Sequence, residues 1–233
     1  PSVFNNILSN IMQPENLEYA SPAVMETMFE GAMTRHQTNF ATRIANAIVT
    51  DYPETDIALD ARMLLARTAI AESRTANPAD ADKLLDAAIE HLDVVRGIFA
   101  TSSEAAEALL LLGTIYRDRN RLNEAQECLE AVLGVRNWRN FWPEALYGLG
   151  LCMETRRDWE RATPYYERIY LMYSGSRHWT AKAYLRRAES LNRLYKDQQA
   201  LETLVEMLAQ DDLRQYPEFV TATELHRKLE GRK

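Results

Sequence analysis

Small residues recur at a fixed spacing in the second half of this chain, and this recurrence constrains its fold more than any other feature. Ala125, Ala162 and Ala200 are 37 and 38 residues apart, and another small residue precedes each of them by 12 positions. Large apolar residues follow both small positions at fixed distances. The three units contain Gly113, Tyr116, Ala125 and Leu129; Gly150, Met153, Ala162 and Tyr166; and Ala188, Leu191, Ala200 and Leu204. Because small residues allow two helices to approach closely, the spacing predicts three successive helical hairpins.

The apolar residues within each unit repeat with the period of an α-helix. In the first unit they predict helices over about 103–118 and 121–134, separated by the polar turn 118–121. Composition agrees with this, because the chain of 233 residues has only 8 Gly, fewer than β-rich folds with glycine loops need. With 8 Pro and 2 Cys, it also differs from disordered chains and from disulfide scaffolds. The sequence therefore predicts an all-α protein.

The first unit resembles the consensus of the tetratricopeptide repeat family. The resemblance rests on Leu109, Leu112, Gly113 and Tyr116, followed by Ala125. The second unit, over 146–169, is similar, whereas the third has Arg187 where the family prefers Leu. The resemblance implies an α-solenoid, in which antiparallel helical hairpins form a right-handed superhelix.

We expect one tetratricopeptide-like domain over residues 1–233. Two more hairpins are predicted upstream, and the second of them is longer by about one turn in each helix. A last helix with a polar outer face is expected to cap the array. The expected hairpins cover about 22–51, 54–99, 103–135, 142–173 and 179–210, and the capping helix covers about 216–230.

The resemblance also implies that the first helix of each hairpin lines a concave surface, where partners bind. The residues facing this surface are offset from the packing positions by the helical period. They are Asp60, Met63, Arg67 and Ile70; Glu107, Leu110, Thr114 and Arg117; Glu144, Tyr147, Leu151 and Glu154; and Lys182, Leu185, Glu189 and Asn192. Each set combines apolar and charged side chains, which is typical of a peptide-binding groove.

Some members of the family hold the C-terminal carboxylate of a partner with paired Lys and Asn residues. This chain offers chiefly Lys182 and Asn192, in a single unit. We therefore expect an internal peptide segment or a folded protein surface as the partner, rather than a chain terminus.

An aromatic and basic run lies between the first and second of these three hairpins, at 136–142. Trp142 and Trp179 are 37 residues apart, which indicates that they pack at the starts of successive first helices. Trp138 has no counterpart in the other units. Since Trp is enriched in interface hot spots, we predict that Trp138 is an exposed residue that contacts a partner.

Residues for catalysis, metal binding or cofactor binding do not form a recognisable pattern. The four histidines, at 36, 91, 178 and 226, lack metal-site spacing and are expected on the surface or in loops. Cys128 and Cys152 are predicted to be buried thiols, although they could lie close together. Gly148 and Gly150 resemble the start of a phosphate-binding loop, but Met153 replaces the third glycine. We expect neither an enzyme, nor a cofactor, nor a metal site.

Charge and hydropathy limit the kinds of partner. The net charge of −7 disfavours nucleic acid, although residues 1–116 carry a net charge of −9 and residues 117–233 a net charge of +2. No apolar run reaches the roughly 18 residues of a membrane span. The favoured function is a non-catalytic protein-interaction scaffold. The alternative is a subunit of a bacterial cell-envelope assembly, and a nucleic-acid-binding repeat or an enzyme ranks below both.

Localisation is inferred from the junctions between hairpins. The segments 51–55 and 173–183 resemble turns in repeat proteins of the bacterial envelope, including assembly lipoproteins. This favours the periplasm or envelope of a Gram-negative bacterium over the cytoplasm. Since the chain begins with Pro1 rather than Met, we allow for a removed N-terminal signal or lipid anchor.

Overall fold

The computed structural model describes residues 20–231, and every regular element in this range is a helix. The all-α prediction is therefore confirmed. The helices are α1 Pro22–Thr34, α2 Thr38–Asp51, α3 Asp56–Ser73, α4 Pro78–Ile98, α5 Ser103–Asp118, α6 Leu122–Gly134, α7 Trp142–Thr155, α8 Trp159–Met172, α9 Arg177–Arg193, α10 Asp197–Leu208 and α11 Pro217–Glu230. Short 3-10 helices cover Arg136–Phe141 and Asp211–Leu213.

Proline and side-chain caps determine where several helices begin. Pro22, Pro78 and Pro217 are the first residues of their helices, where the missing N–H removes no helical hydrogen bond. The Asn77 side chain accepts a hydrogen bond from the backbone N–H of Asp80 at 3.1 Å and so caps α4. Asp158 caps α8 in the same way, by accepting from the N–H of Arg161 at 3.1 Å.

Four hairpins share one turn geometry. After α1, α5, α7 and α9, one residue adopts the left-handed conformation, and the next N–H donates to the carbonyl five residues before it. The left-handed residues are His36, Asn120, Arg157 and Tyr195, with φ of 55°, 58°, 60° and 58°. The N–H···O distances range from 2.7 Å for Arg121 to 3.0 Å for Gln37. This is the Schellman motif, which usually places glycine at the left-handed position.

The chain divides into two compact units, with the boundary between Ala108 and Leu109, inside α5. In the N-terminal unit, α2 packs against α1 and α3, and α3 packs against α4. Its core includes Met25, Phe29, Ile44 and Ile48. His91 of α4 is half-buried, not on the surface as we predicted, and burial together with nearby Arg62 lowers its pKa.

In the C-terminal unit, each helix from α6 to α11 packs against the next. The first helices also contact one another, α7 with α9 and α9 with α11. All twelve repeat positions identified in the sequence are buried here. Tyr170 of α8 stacks on Tyr184 of α9, with ring centroids 3.9 Å apart. Arg187, which departs from the family consensus, donates to Glu167 at 2.9 Å and to Thr203, so its charge is paired.

Glycine at position 150 permits the close approach of α7 and α8. A Cβ atom there would lie 2.4 Å from Cε1 and 2.5 Å from Cζ of Tyr166, whose side chain is fully buried. A Cβ on Gly113 would lie 2.8 Å from Cγ of Leu129, so the first unit shows the same close packing. The prediction that these glycines serve helix packing rather than turns is confirmed.

We predict that Gly150→Ala lowers the free energy of unfolding of the C-terminal unit by about 1–3 kcal/mol, because the added methyl group overpacks a rigid core. Urea unfolding monitored by tryptophan fluorescence measures this, since all four Trp residues lie after residue 108. Gly134→Ala is the matched control, because no atom lies within 4 Å of its Cβ position. Equal stability of the two variants would contradict close packing at Gly150.

Candidate partner-binding site

A cleft opens on the first helices of the C-terminal unit, with a volume of about 230 Å³. We call it the aromatic cleft, because Tyr147 and Trp179 form part of its wall. Its other lining residues are Leu110, Gly113, Thr114 and Arg117 of α5, Leu129 of α6, Glu144, Gly148 and Leu151 of α7, and Lys182 of α9. Seven residues that we assigned to the concave surface therefore line one cleft.

The wall of the aromatic cleft carries an aromatic pair and a cation. The rings of Tyr147 and Trp179 are tilted against each other, with centroids 5.3 Å apart. Lys182 Nζ lies 4.8 Å from the centroid of Trp179 and 5.9 Å from that of Tyr147. These are distances at which a cation is attracted by the negative face of an aromatic ring. The floor is apolar, since Leu110 is buried and Leu151 is half-buried.

A second, larger cleft lies between α7, α9 and α11, with a volume of about 680 Å³. We call it the C-terminal cleft. It contains three more of the predicted residues, Glu154, Glu189 and Asn192. Its remaining lining residues are Trp159, Arg186, Arg193, Tyr195, Thr221, Glu224, Leu225 and Lys228.

Arg186 connects the two clefts. Its Nε donates to the Tyr147 hydroxyl at 3.4 Å, and its Nη1 lies 3.3 Å from Glu189 Oε2 and 3.6 Å from Glu154 Oε2. Ser190 Oγ donates to Glu154 Oε1 at 3.1 Å. This network fixes the side chain of Tyr147 at the border of the aromatic cleft and orders two carboxylates in the C-terminal cleft.

The carboxyl group of Glu154 is partly buried within this network. Burial raises its pKa, while the positive charge of Arg186 and hydrogen bonds from neighbouring hydroxyls act in the opposite direction. Burial alone would lower the pKa of Arg186, but Tyr147, Glu154 and Glu189 together raise it above its ordinary value. Arg186 therefore stays charged and holds Glu154 in place.

A third cleft belongs to the N-terminal unit, with a volume of about 360 Å³, and contains the predicted residues Met63 and Arg67. We call it the acidic cleft. It is lined by Glu26, Phe29, Glu30 and Met33 of α1, Asp56, Ile57, Asp60, Met63, Leu64 and Arg67 of α3, and Glu104 and Glu107 of α5. The predicted surface residues are thus divided among three clefts, and their role in binding stays a prediction.

Three residues do not occupy the positions that the sequence indicated. Ile70, which we assigned to the concave surface, lines none of the three clefts. Leu185 lines none of the three clefts and is only 9% exposed, because it faces the core of the C-terminal unit. Trp138 is only 4% exposed, so the prediction of an exposed Trp138 is wrong. The run 136–141 forms a 3-10 helix that packs against α6 and α7 and turns this indole inward.

The sequence interpretation also missed residues that the structure places at the clefts. Trp179 was assigned only to packing, yet it lines the aromatic cleft. A signal was present, because Trp179 and Lys182 are three residues apart on one helix and so share a face. Trp142 does pack as predicted, since its Nε1 donates to the carbonyl of Val132 at 3.1 Å. Nothing in the sequence identified Arg186 as the link between clefts.

The remaining predictions concern the two cysteines, metal sites and membrane-spanning helices. Cys128 and Cys152 are both buried, and neither forms a disulfide. Within residues 20–231, no group of three or more His, Cys, Asp or Glu side chains is arranged to hold a metal ion. In the same part of the chain, no helix combines the length and the apolar character that crossing a membrane requires.

Comparison with known protein families matches one segment of the C-terminal unit. The sequence profile described as tetratricopeptide repeat matches residues 144–176, which cover α7, α8 and the following turn. Residues 144–176 therefore resemble a tetratricopeptide repeat in sequence. No curated protein sequence matches this chain.

Solved structures resemble most of this chain in fold. A crystal structure of MamA has a TM-score of 0.56 at 18% identity and covers 91% of this chain and 92% of its own. A second MamA structure has a TM-score of 0.54 at 17% identity, with coverages of 88% and 95%. PilF of Pseudomonas aeruginosa has a TM-score of 0.56 at 15% identity, with coverages of 90% and 96%. At these identities the likeness concerns the fold alone.

The burial of Trp138 changes the expected effect of its substitution. We predict that Trp138→Ala lowers the free energy of unfolding of the C-terminal unit by about 3–5 kcal/mol, because it leaves a cavity between α6 and α7. Trp138→Phe fills part of this cavity and should cost less. Urea unfolding monitored by circular dichroism measures both. If Trp138→Ala leaves the stability unchanged but weakens partner binding, Trp138 is a surface residue that contacts the partner.

Proposed function

We propose that this protein is a non-catalytic scaffold that binds a peptide segment or a protein surface along its first helices. Its fold supports a role in protein–protein interaction, because tetratricopeptide repeats serve this purpose in many proteins. The finer proposal concerns the place of binding. It assigns the principal contact to the aromatic cleft of the C-terminal unit.

The observation that carries this proposal is the convergence of α5, α7 and α9 on one cleft. Each of the three helices contributes an apolar or aromatic side chain together with a charged one: Leu110 with Arg117, Tyr147 with Glu144, and Trp179 with Lys182. Interface hot spots are enriched in Tyr, Trp and Arg, so an aromatic pair beside a cation is typical of them. A plain solvated face would not need the aromatic pair.

The apolar and polar parts of the cleft have different roles in this proposal. The rings of Tyr147 and Trp179 give contact area at a small entropic cost, because each side chain has only two rotatable angles. Lys182 and Glu144 would select the orientation of the partner by its charges. The hydrogen bond from Arg186 holds Tyr147 in place before binding, which reduces the cost of ordering it.

We also propose, as the alternative function, that this protein is a subunit of a bacterial cell-envelope assembly. The support comes from the junctions between hairpins at 51–55 and 173–183, which resemble turns in repeat proteins of the bacterial envelope. Tyr52 and Tyr173 end α2 and α8 with similar backbone angles, φ of −135° and −131°, in the segments that resemble those of envelope repeat proteins. Cell fractionation of an epitope-tagged chain tests this location, and recovery in the cytoplasmic fraction would contradict it.

Site-specific photo-crosslinking in cells of the source organism tests the binding site. We expect that a photoreactive benzoylphenylalanine in place of Tyr147 crosslinks to a protein partner. The same amino acid in place of Leu171, which is 68% exposed on α8, should not crosslink to this partner. Lys182→Glu should reduce the crosslink from position 147, because it reverses a charge at the wall of the cleft.

Two other crosslinking patterns would contradict this proposal. Crosslinks from position 147 to nucleic acid would replace a protein partner with a nucleic acid. Equal crosslinks to the same partner from positions 147 and 171 would show that binding does not use the first helices. Tyr147→Phe without the crosslinker keeps the ring but loses the hydroxyl that accepts from Arg186, so it should bind the partner more weakly than the unmodified chain and more strongly than Tyr147→Ala.

A further inference from the structure

The acidic cleft of the N-terminal unit has a rim of carboxylates that comes from three helices. Each helix supplies two acids, spaced by three or four residues, so that both face the cleft: Glu26 and Glu30, Asp56 and Asp60, and Glu104 and Glu107. Among the described residues, Arg67 is the one cation that lines this cleft. Its Nη2 donates to Glu107 Oε1 at 2.5 Å. Six carboxylates and one guanidinium leave a formal charge of −5.

This concentration of charge has a cost for the fold, although Asp56 and Glu104 lie in the first turns of their helices, where acids are favourable. Like charges at i and i+4 weaken a helix, and two such pairs occur here, on α1 and α3. The pKa of Asp60 is raised by burial and by the nearby charges of Glu104 and Glu30, against the effect of Arg67. The acids of different helices therefore repel one another across the cleft. A cationic partner would relieve this repulsion.

The floor of the acidic cleft is apolar. It is formed by Phe29, Met33, Ile57, Met63 and Leu64. Phe29 and Met63 are buried, whereas Met33 remains 42% exposed and offers a flexible thioether to a ligand. The volume of about 360 Å³ lies in the range of clefts that bind ligands. An occupant thus needs apolar groups for the floor as well as positive charge for the rim.

We infer that the acidic cleft binds a segment of another protein in which Lys or Arg residues flank apolar side chains. This inference rests on the proposed scaffold function and names the chemistry of a second partner contact. The aromatic cleft, in contrast, is lined by Arg117 and Lys182 and by one acid, Glu144. Two clefts of opposite charge would bind different segments, which lets one scaffold hold two different ligands.

Other occupants fit less well. The leading segment of this chain, residues 1–19, contains Glu15 and Glu18 and neither Lys nor Arg, so its charge does not complement the rim. A bare metal ion would leave the apolar floor uncovered. Moreover, in residues 20–231 no three carboxylate, imidazole or thiol groups are close enough to ligate one.

Peptide selection tests the inference even while the natural partner is unidentified. A phage-displayed library of random short peptides is selected on the immobilised full-length chain. The binding of enriched peptides is then measured by fluorescence anisotropy. The test variant carries Glu30→Gln and Asp60→Asn, which keep the side-chain shapes. The matched control carries Glu72→Gln and Asp86→Asn, which remove the same charge outside the cleft.

We expect enriched peptides to combine Lys or Arg with apolar residues and to bind more weakly as salt is added. Their affinity should fall by about tenfold or more in the test variant, because it loses two rim charges. The control variant should bind as the unmodified chain does. The test variant should melt at the same or a higher temperature, since repulsion is relieved. If it melts lower, Glu26→Gln with Glu104→Gln replaces it.

Three results would overturn the inference. The enriched peptides could lack an excess of Lys and Arg, or they could bind the test variant and the unmodified chain equally well. They could also respond only to Tyr147→Ala, in which case the scaffold function stands and the acidic cleft is not the site. Failure to enrich any peptide would count against both proposals.

Discussion

The close approach of helices at small residues is the constraint on which the rest of the structure depends. Gly150 faces the ring of Tyr166, and Gly113 faces Leu129, at distances that leave no room for a side chain. This contact sets the separation of the two helices in a hairpin and, through it, the rotation of the first helix about its axis. Because one face of that helix must pack against its partner, the face that lines the clefts is determined as well.

The positions of the clefts therefore follow from helix packing and do not depend on a partner. Leu110, Tyr147 and Leu151 lie beside the packing positions, and the repeat residues Gly113 and Leu129 themselves line the aromatic cleft. Their chemistry, however, is not determined by packing. The N-terminal unit has carboxylates around its cleft, whereas the C-terminal unit has an aromatic pair beside Lys182. Because of this difference in charge, we propose different ligands for the two clefts, although helix packing produces both.

The sequence predicted the elements that repeat and failed where the chain departs from repetition. Spacing located the packing glycines, and the resemblance together with the helical period gave seven of the eleven residues that line the aromatic cleft. Trp138 lies in a 3-10 helix, and the second unit has no such helix, so the three units did not give a common direction for this position. The third unit does have a counterpart, because Leu213 of the 3-10 helix Asp211–Leu213 is also buried. The left-handed turn residues were also invisible, since Arg157 and Tyr195 occupy positions where glycine is the usual signal. Leu185 was misplaced because the helical period puts it on the same face as Lys182 and Glu189, whereas its apolar side chain is buried in the core.

The indole signals of the four tryptophans provide the most direct measurement of where a partner binds. Trp179 lines the aromatic cleft, whereas Trp142 hydrogen-bonds to Val132 and Trp138 is buried. An NMR titration with the partner recovered by crosslinking should shift the Nε1–H resonance of Trp179 and leave those of Trp138 and Trp142 in place. Shifts confined to Trp138 and Trp142 at saturation, with Trp179 unchanged, would contradict binding along the first helices.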